Sequence, residues 1–213
     1  MNTLPGPRLA IDRRMCVAAN RWGTRRAVGV FFGVISRLGD GVFWYSLMAV
    51  LALVDGRRGL LAAAQMAVTG LTALFLYRLL KRWTRRPRPF RACPGVIAHV
   101  PPLDEFSFPS GHTLQAVSFT VVALAWYPLL APLLLTFTTL VGASRVILGL
   151  HYPSDVIAAT AIRAAAGGRG CARRLRLTPA QPSAIAAQPA RIPARSPRRP
   201  AGPSARRPRS CRT

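Results

Sequence analysis

The chain has 213 residues, is 51% hydrophobic and carries a formal net charge of +24. Its 30 basic residues are arginines except for Lys81, set against six acids, Asp12, Asp40, Asp55, Asp104, Glu105 and Asp155. So basic a balance points to nucleic acid or an anionic membrane surface, but 13 arginines fall in residues 163–213 while apolar residues gather between Ala27 and Ala166, in long uncharged runs that speak against a soluble basic module.

In chain order, residues 1–26 carry six arginines and no apolar stretch of signal-peptide type. Basic flanks stay on the cytoplasmic side, so this segment is expected there. Ala27–Ile35 is a short apolar run, and Val42–Val54 a longer one with Phe43, Trp44 and Tyr45 at one end, as interface belts have. Leu60–Tyr77 is uncharged for 18 residues, close to the ~20 that cross a bilayer. Thr113–Ser144 is uncharged for 32 residues; as one helix it would be roughly 48 Å, too long for a core of about 30 Å. Pro128 and Pro132 divide it into two spans. Val156–Ala166 contains Arg163 and ends at Gly167-Gly168, too short for a comfortable crossing.

These segments predict an all-α integral-membrane bundle of five to six transmembrane helices over residues 27–166, multi-pass in the inner (plasma) membrane, with both termini cytoplasmic. Residues 167–213, rich in Arg, Pro, Ala and Ser and free of acids, predict a disordered tail. Two readings of it stay open: a basic segment lying on anionic lipid headgroups, or an aberrant end that cuts the last helix short. Its charge is all it offers a nucleic acid, so no specific nucleic acid is expected. Cys16, Cys93, Cys171 and Cys211 have neither disulfide-like nor metal-like spacing and are read as unpaired.

Three polar islands stand at predicted span ends: KRWTRRPRP with Lys81 and Arg88, PSGH at residues 109–112, and SRVILGLHYPSD with Arg145, His151 and Asp155. Residues 81–110 also hold Arg82, Arg85, Arg86 and Arg91 on the outer side, where the charge rule does not favour them. Arg82, Arg85 and Arg86 read as interfacial anchors. Arg88 and Arg145 suit bidentate grip on phosphate oxygens, and Lys81 adds a point charge. Ser110 and Gly111 open a helix whose first N–H groups favour an anion. His151 and Asp155, four apart, would share a helix face, the carboxylate fixing the imidazole so that its other nitrogen can attack. His112 is then the acid for the leaving oxygen. His99, Asp104 and Glu105 are assigned no catalysis. A two-metal site would need more carboxylates or histidines than this face offers, so no cofactor or metal is expected.

The three islands together resemble the signature of the type 2 phosphatidic acid phosphatases: Lys81, six residues, Arg88-Pro89; Pro109-Ser110-Gly111-His112; Ser144-Arg145, five residues, His151, three residues, Asp155. The resemblance covers about residues 27–166. It implies a six-helix membrane bundle, a metal-independent site facing away from the cytoplasm, and a phosphohistidine on His151. Its implied substrates are phosphatidate, phosphatidylglycerol phosphate, diacylglycerol pyrophosphate or polyprenyl diphosphates. Family members complete a sixth helix after the aspartate, which Arg163 and Gly167-Gly168 are expected to interrupt here. The alternatives are an inactive membrane protein that binds anionic lipid, and a vanadate-dependent haloperoxidase with similar motifs, against which the spans argue.

Overall fold

The computed structural model describes residues 7–102 and 104–177, with side chains from Ala10 to Ala166. Described residues form helices and loops, the only β-type pairing among them being an isolated bridge between Pro87 and Phe106.

Helix α1 (Pro7–Gly23) is followed by α2 (Arg26–Arg37), a five-residue π-turn (Leu38–Val42) and α3 (Phe43–Val54). Then come α4 (Gly56–Thr84), the short α5 (Pro89–Ala92), α6 (Gly111–Trp126), α7 (Ala131–Ile147) and α8 (Pro153–Leu177). Among the described residues, three stretches are long and apolar enough to cross a membrane: Arg26–Val54, Gly56–Thr84 and Pro128–Ile147. With α6 and α8 they make five rods. The rods pack through Trp44, Met66, Phe119, Leu134, Phe137 and Val141, while Leu53, Val54, Leu71, Phe75 and Leu129 face outward. An apolar outside is what a bilayer solvates, so the pattern of exposure fits the membrane reading.

Local chemistry sets the turns. Asp55 closes α3, and a Cβ at Gly59 would lie 1.7 Å from the Leu51 carbonyl oxygen, so only glycine lets α4 start against α3. At the same end Tyr127 donates to Asp55 (2.7 Å) and Arg58 to the Trp126 carbonyl (3.0 Å). Pro128 breaks the long uncharged run where expected, between α6 and α7.

Two expectations are corrected. Residues 1–26 were placed on the face opposite the polar islands, yet α1 lies at their end of the bundle. Asn20 donates to the carbonyls of Ile97 (2.9 Å) and Ile147 (3.0 Å) and accepts from Ile97 N–H (2.9 Å). Arg13 donates to the Ala92 carbonyl and to Cys93 Sγ. Charge counting missed this because α1 is tied down by side-chain–backbone bonds, which leave no hydropathy signal. The rods among the described residues number five, within the five to six expected, with α1 laid across one end.

The last helix is also whole. It was expected to break after Ala166, but α8 runs 25 residues to Leu177, about 37 Å of helix, through Gly167-Gly168. Glycine costs a helix only about 1 kcal/mol, less than neighbouring turns supply. Among the described residues the helix thus continues past residue 166, where it was expected to stop. The expected disordered, lipid-binding tail lies, from residue 178 on, outside the described residues, as do the side chains of Cys171 and Cys211. Cys16 and Cys93 are buried free thiols.

Candidate active site

The three islands converge at the α1 end of the bundle. A cavity of about 420 Å³ is lined there by Lys81, Arg88, Gly111, His112 and His151. Each is delivered by a helix end. Lys81 is in the last turn of α4. Arg88 is the N-cap residue of α5, with Pro89 at its first position. Gly111 and His112 open α6, whose first internal bond is Leu114 N–H to Ser110 O (2.9 Å). The N–H groups of Gly111, His112 and Thr113 therefore precede the helix ladder, as an anion site requires.

The cations are held by Asp104. Lys81 Nζ stands 2.6 Å and 2.5 Å from its two carboxylate oxygens, and Arg88 Nη2 2.7 Å from one of them. Arg88 also donates through Nε to the Asp104 carbonyl (2.9 Å) and through Nη1 to that of Leu150 (2.9 Å). Partial burial alone would raise the Asp104 pKa, but the bonds from Lys81 and Arg88 hold it below the usual carboxylate range. Asp104, assigned no role from sequence, is thus the counter-charge shared by Lys81 and Arg88.

His151 is 1% exposed. Its Nδ1 is 2.7 Å from the carbonyl oxygen of Ser107. A carbonyl only accepts, so the proton sits on Nδ1 and Nε2 carries the lone pair. Nε2 is 3.4 Å from Arg88 Nη1. Burial first, and then the charges of Arg145, Arg88 and Lys81, hold the imidazole pKa well below its ordinary value, so the ring is neutral.

The expected His151–Asp155 bond on a shared helix face is not formed. Asp155 Oδ2 is 3.6 Å from Nδ1, beyond a good hydrogen bond. The reason is where α8 starts. Pro153 takes the first helical position, which leaves His151 outside the helix and Asp155 at the third position. There Asp155 reaches back to the Tyr152 N–H (2.9 Å) as a capping carboxylate. Its other oxygen accepts from Arg86 Nη1 (2.7 Å). Arg86 is therefore no interfacial anchor. It also donates to Asp12 (2.7 Å) and Ser154 (2.8 Å), and its guanidinium lies 4.0 Å from the Tyr152 ring centroid.

Ser110 and Arg145 stand behind the cavity rather than on its wall. Ser110 is fully buried, its hydroxyl 2.9 Å from that of Thr113. Arg145 is 2% exposed, donates to Ser36 through Nη1 and has a buried Nε with no hydrogen-bond partner among the described residues. It lines an adjoining recess with Arg37, Asp40 and His112. His112 joins the two spaces, and its Nε2 meets Asp40 Oδ1. Asp40 sits in the π-turn, beside Gly41 at φ 146°, a conformation open to glycine. Among the described residues His99 has a buried Nε2 without a hydrogen-bond partner and lies outside this cavity.

Residues 61–171, more than half the chain, match the PAP2 superfamily. The chain belongs to that superfamily. All three PAP2 islands identified above fall inside the match. The chain is 35% identical over 123 residues to decaprenylphosphoryl-5-phosphoribose phosphatase of Mycobacterium tuberculosis, an alignment covering 57% of this chain and 65% of the relative. It is 44% identical over 62 residues to phosphatidylglycerophosphatase B of Escherichia coli, covering 27% and 24% of the two chains. A transmembrane PAP2-type phosphatidylglycerolphosphate phosphatase from Bacillus subtilis shares its fold, with a TM-score of 0.67, 22% identity, and coverage of 84% of this chain and 91% of that one.

Asp40, Asp104, Arg86, Asp12 and the Ser107 carbonyl were not found by sequence reasoning. An acid close to an arginine cluster is a weak signal for Asp104. The Asp40-Gly41 pair inside an apolar run is a weak signal for the π-turn. Nothing in the sequence marks Ser107, because its contribution is a backbone oxygen.

Proposed function

We propose that the chain is a membrane lipid phosphatase, hydrolysing a phosphate monoester or diphosphate of a lipid through a phosphohistidine on His151. The observation that carries this reading is a neutral, buried His151 whose unprotonated Nε2 meets Arg88 Nη1 at 3.4 Å, in one cavity with Lys81, Arg88 and His112. Nε2 attacks phosphorus, the N–P bond forms, and the P–O bond to the leaving group breaks as His112 gives that oxygen a proton. A water then gives a proton to His112 and attacks phosphorus, the N–P bond breaks, and phosphate leaves. Lys81 and Arg88 bind the equatorial oxygens, helped by the first N–H groups of α6, and Arg145 adds its positive charge from behind the cavity wall. Ser110 and Asp155 act as positioning residues, the one through Thr113 and the other through the turn that carries His151.

Both curated relatives are named for lipid substrates, one a decaprenylphosphoryl-phosphoribose and the other a phosphatidylglycerol phosphate. Each of these names describes a terminal phosphate on a leaving part that holds a second phosphate. We extend the lipid phosphate class to this chain, with phosphatidate and polyprenyl diphosphates as further candidates. The site faces away from the cytoplasm in this reading, α1 lies on that outer face with it, and α8 leads back to the cytoplasmic side.

The test is phosphate release by the purified full chain in detergent with a chelator present. Turnover of at least one lipid phosphate, unchanged by chelator, is expected; no turnover of phosphatidate, phosphatidylglycerol phosphate or polyprenyl diphosphate would sink the reading.

Asp40 orients the acid. Positioned acid–base groups contribute about 10²–10⁴-fold, so Asp40→Asn should lower kcat about ten-fold or more with KM little changed. Wild-type kcat in this variant would remove Asp40 from the mechanism.

A further inference from the structure

The catalytic cavity carries more positive charge than one transferred phosphoryl group engages. Besides the residues already described, its wall includes Tyr77, Arg78 and Arg82, all on α4. Arg78 and Arg82 are four residues apart, so they stack on one helix face a turn apart. Neither has a carboxylate partner among the described residues. The two acids of the cavity are already engaged: Asp104 bridges Lys81 and Arg88, and Glu105 pairs with Arg91 at 3.0 Å.

This surplus charge sits on the helix that adjoins the start of α6. Phosphoryl transfer places the attacking and leaving atoms roughly in line, so the leaving oxygen lies away from His151 Nε2, toward His112. The Tyr77 ring is 3.4 Å from where a Cβ of Gly111 would stand, so this turn of α4 adjoins the start of α6 that carries His112. Whatever is attached to the leaving oxygen then passes along the α4 wall.

We propose that Arg78 and Arg82 form a subsite for a second phosphate, carried by the leaving part of the substrate. The inference rests on the lipid-phosphatase reading and narrows it to substrates with two phosphorus atoms: a lipid diphosphate, or a terminal phosphate attached to a phosphodiester-bearing headgroup. Two guanidinium groups grip such an anion bidentately. The adjoining recess holds another exposed arginine, Arg37, but there the carboxylate of Asp40 shares the space and repels an anion.

The experiment compares matched pairs in neutral detergent without anionic lipid: phosphatidylglycerol phosphate against phosphatidate, and polyprenyl diphosphate against polyprenyl monophosphate. The readout is the ratio of kcat/KM for the two-phosphate member over its one-phosphate partner. Arg78→Gln with Arg82→Gln should lower that ratio about ten-fold or more, through KM, as loss of charge-assisted hydrogen bonds does. Both side chains are exposed, so their replacement leaves the packing intact. Arg85→Gln removes the same charge from the end of α4 without lining the cavity, and should leave the ratio unchanged.

An unchanged ratio in the double variant overturns the subsite. So does an equal fall in Arg85→Gln, which would mark a general field, or a fall in Arg37→Gln alone, which would move the second phosphate to the recess. An effect of the double variant seen only after anionic lipid is added assigns the arginines to bulk headgroups and also overturns it. If the wild-type chain turns over no member of either pair, the lipid-phosphatase reading fails and the subsite with it. Turnover of both members with a flat ratio sinks the subsite alone.

Discussion

His151→Ala should abolish phosphate release, lowering kcat by three orders of magnitude or more, as removal of a covalent nucleophile does. The fold should survive. The lost bond to the Ser107 carbonyl is one neutral hydrogen bond, worth about 1 kcal/mol, and a detergent melting curve will report a small shift. A quench of the wild-type chain during turnover should trap protein-bound phosphate that is labile to acid, and His151→Ala should trap none. The neutral state of His151 adds a pH signature. Burial and the surrounding cations depress its pKa, so the nucleophile stays unprotonated well below an ordinary histidine value of about 6.5. The acid limb of kcat/KM should therefore lie below that pH. The same depression makes stability fall with acid: the unfolded chain takes up the proton near pH 6.5, the folded chain only at lower pH, so the folded state loses ground as pH drops below the unfolded value. Wild-type turnover in His151→Ala would end the phosphohistidine mechanism.

Arg86→Ala should be the most destabilising single change outside the apolar core, by about 3 kcal/mol. Its guanidinium stands between Asp12 and Asp155 at 2.7 Å from each, and those carboxylates are 8% and 0% exposed. Removing the cation leaves two buried anions without their counter-charge, the case in which losing one partner of a buried pair costs about 3–5 kcal/mol. The effect should also reach turnover, because Asp155 caps the turn that holds His151. Arg86→Lys keeps the charge but loses the planar fork, and should fall between. A melting temperature of Arg86→Ala equal to wild type would show that the ion cluster carries no stability.

What could be read from the sequence depended on how local its cause is. Lys81, Arg88, His112 and His151 were legible because their spacing places them at helix ends within short stretches. The bilayer spans were legible because apolar runs and prolines act within one segment. Asp104, Asp40 and Asp12 were not, since their partners lie 16 to 142 residues away and only packing brings them together. The Asp155 error had a local cause that could have been weighed: Pro153 favours the first helical position, which excludes His151 from the helix and breaks the i, i+4 argument. The last helix was misjudged because glycine and arginine were treated as breakers, although neither removes a backbone hydrogen bond as proline does.

Helix α1 supplies no reacting atom, yet Asp12 receives the N–H of Ser154 (3.0 Å) and the side chain of Arg86, and Asn20 fastens the end of α7 to the loop at Ile97. Residues 10–23 therefore behave as a strap over the chemistry. Trimming them, or fusing a bulky partner that levers them off, would register in an assay as a catalytic defect as well as a loss of stability. Selection for turnover would then reach Asp12 and Asn20, although they hold the loops of the site rather than line its cavity.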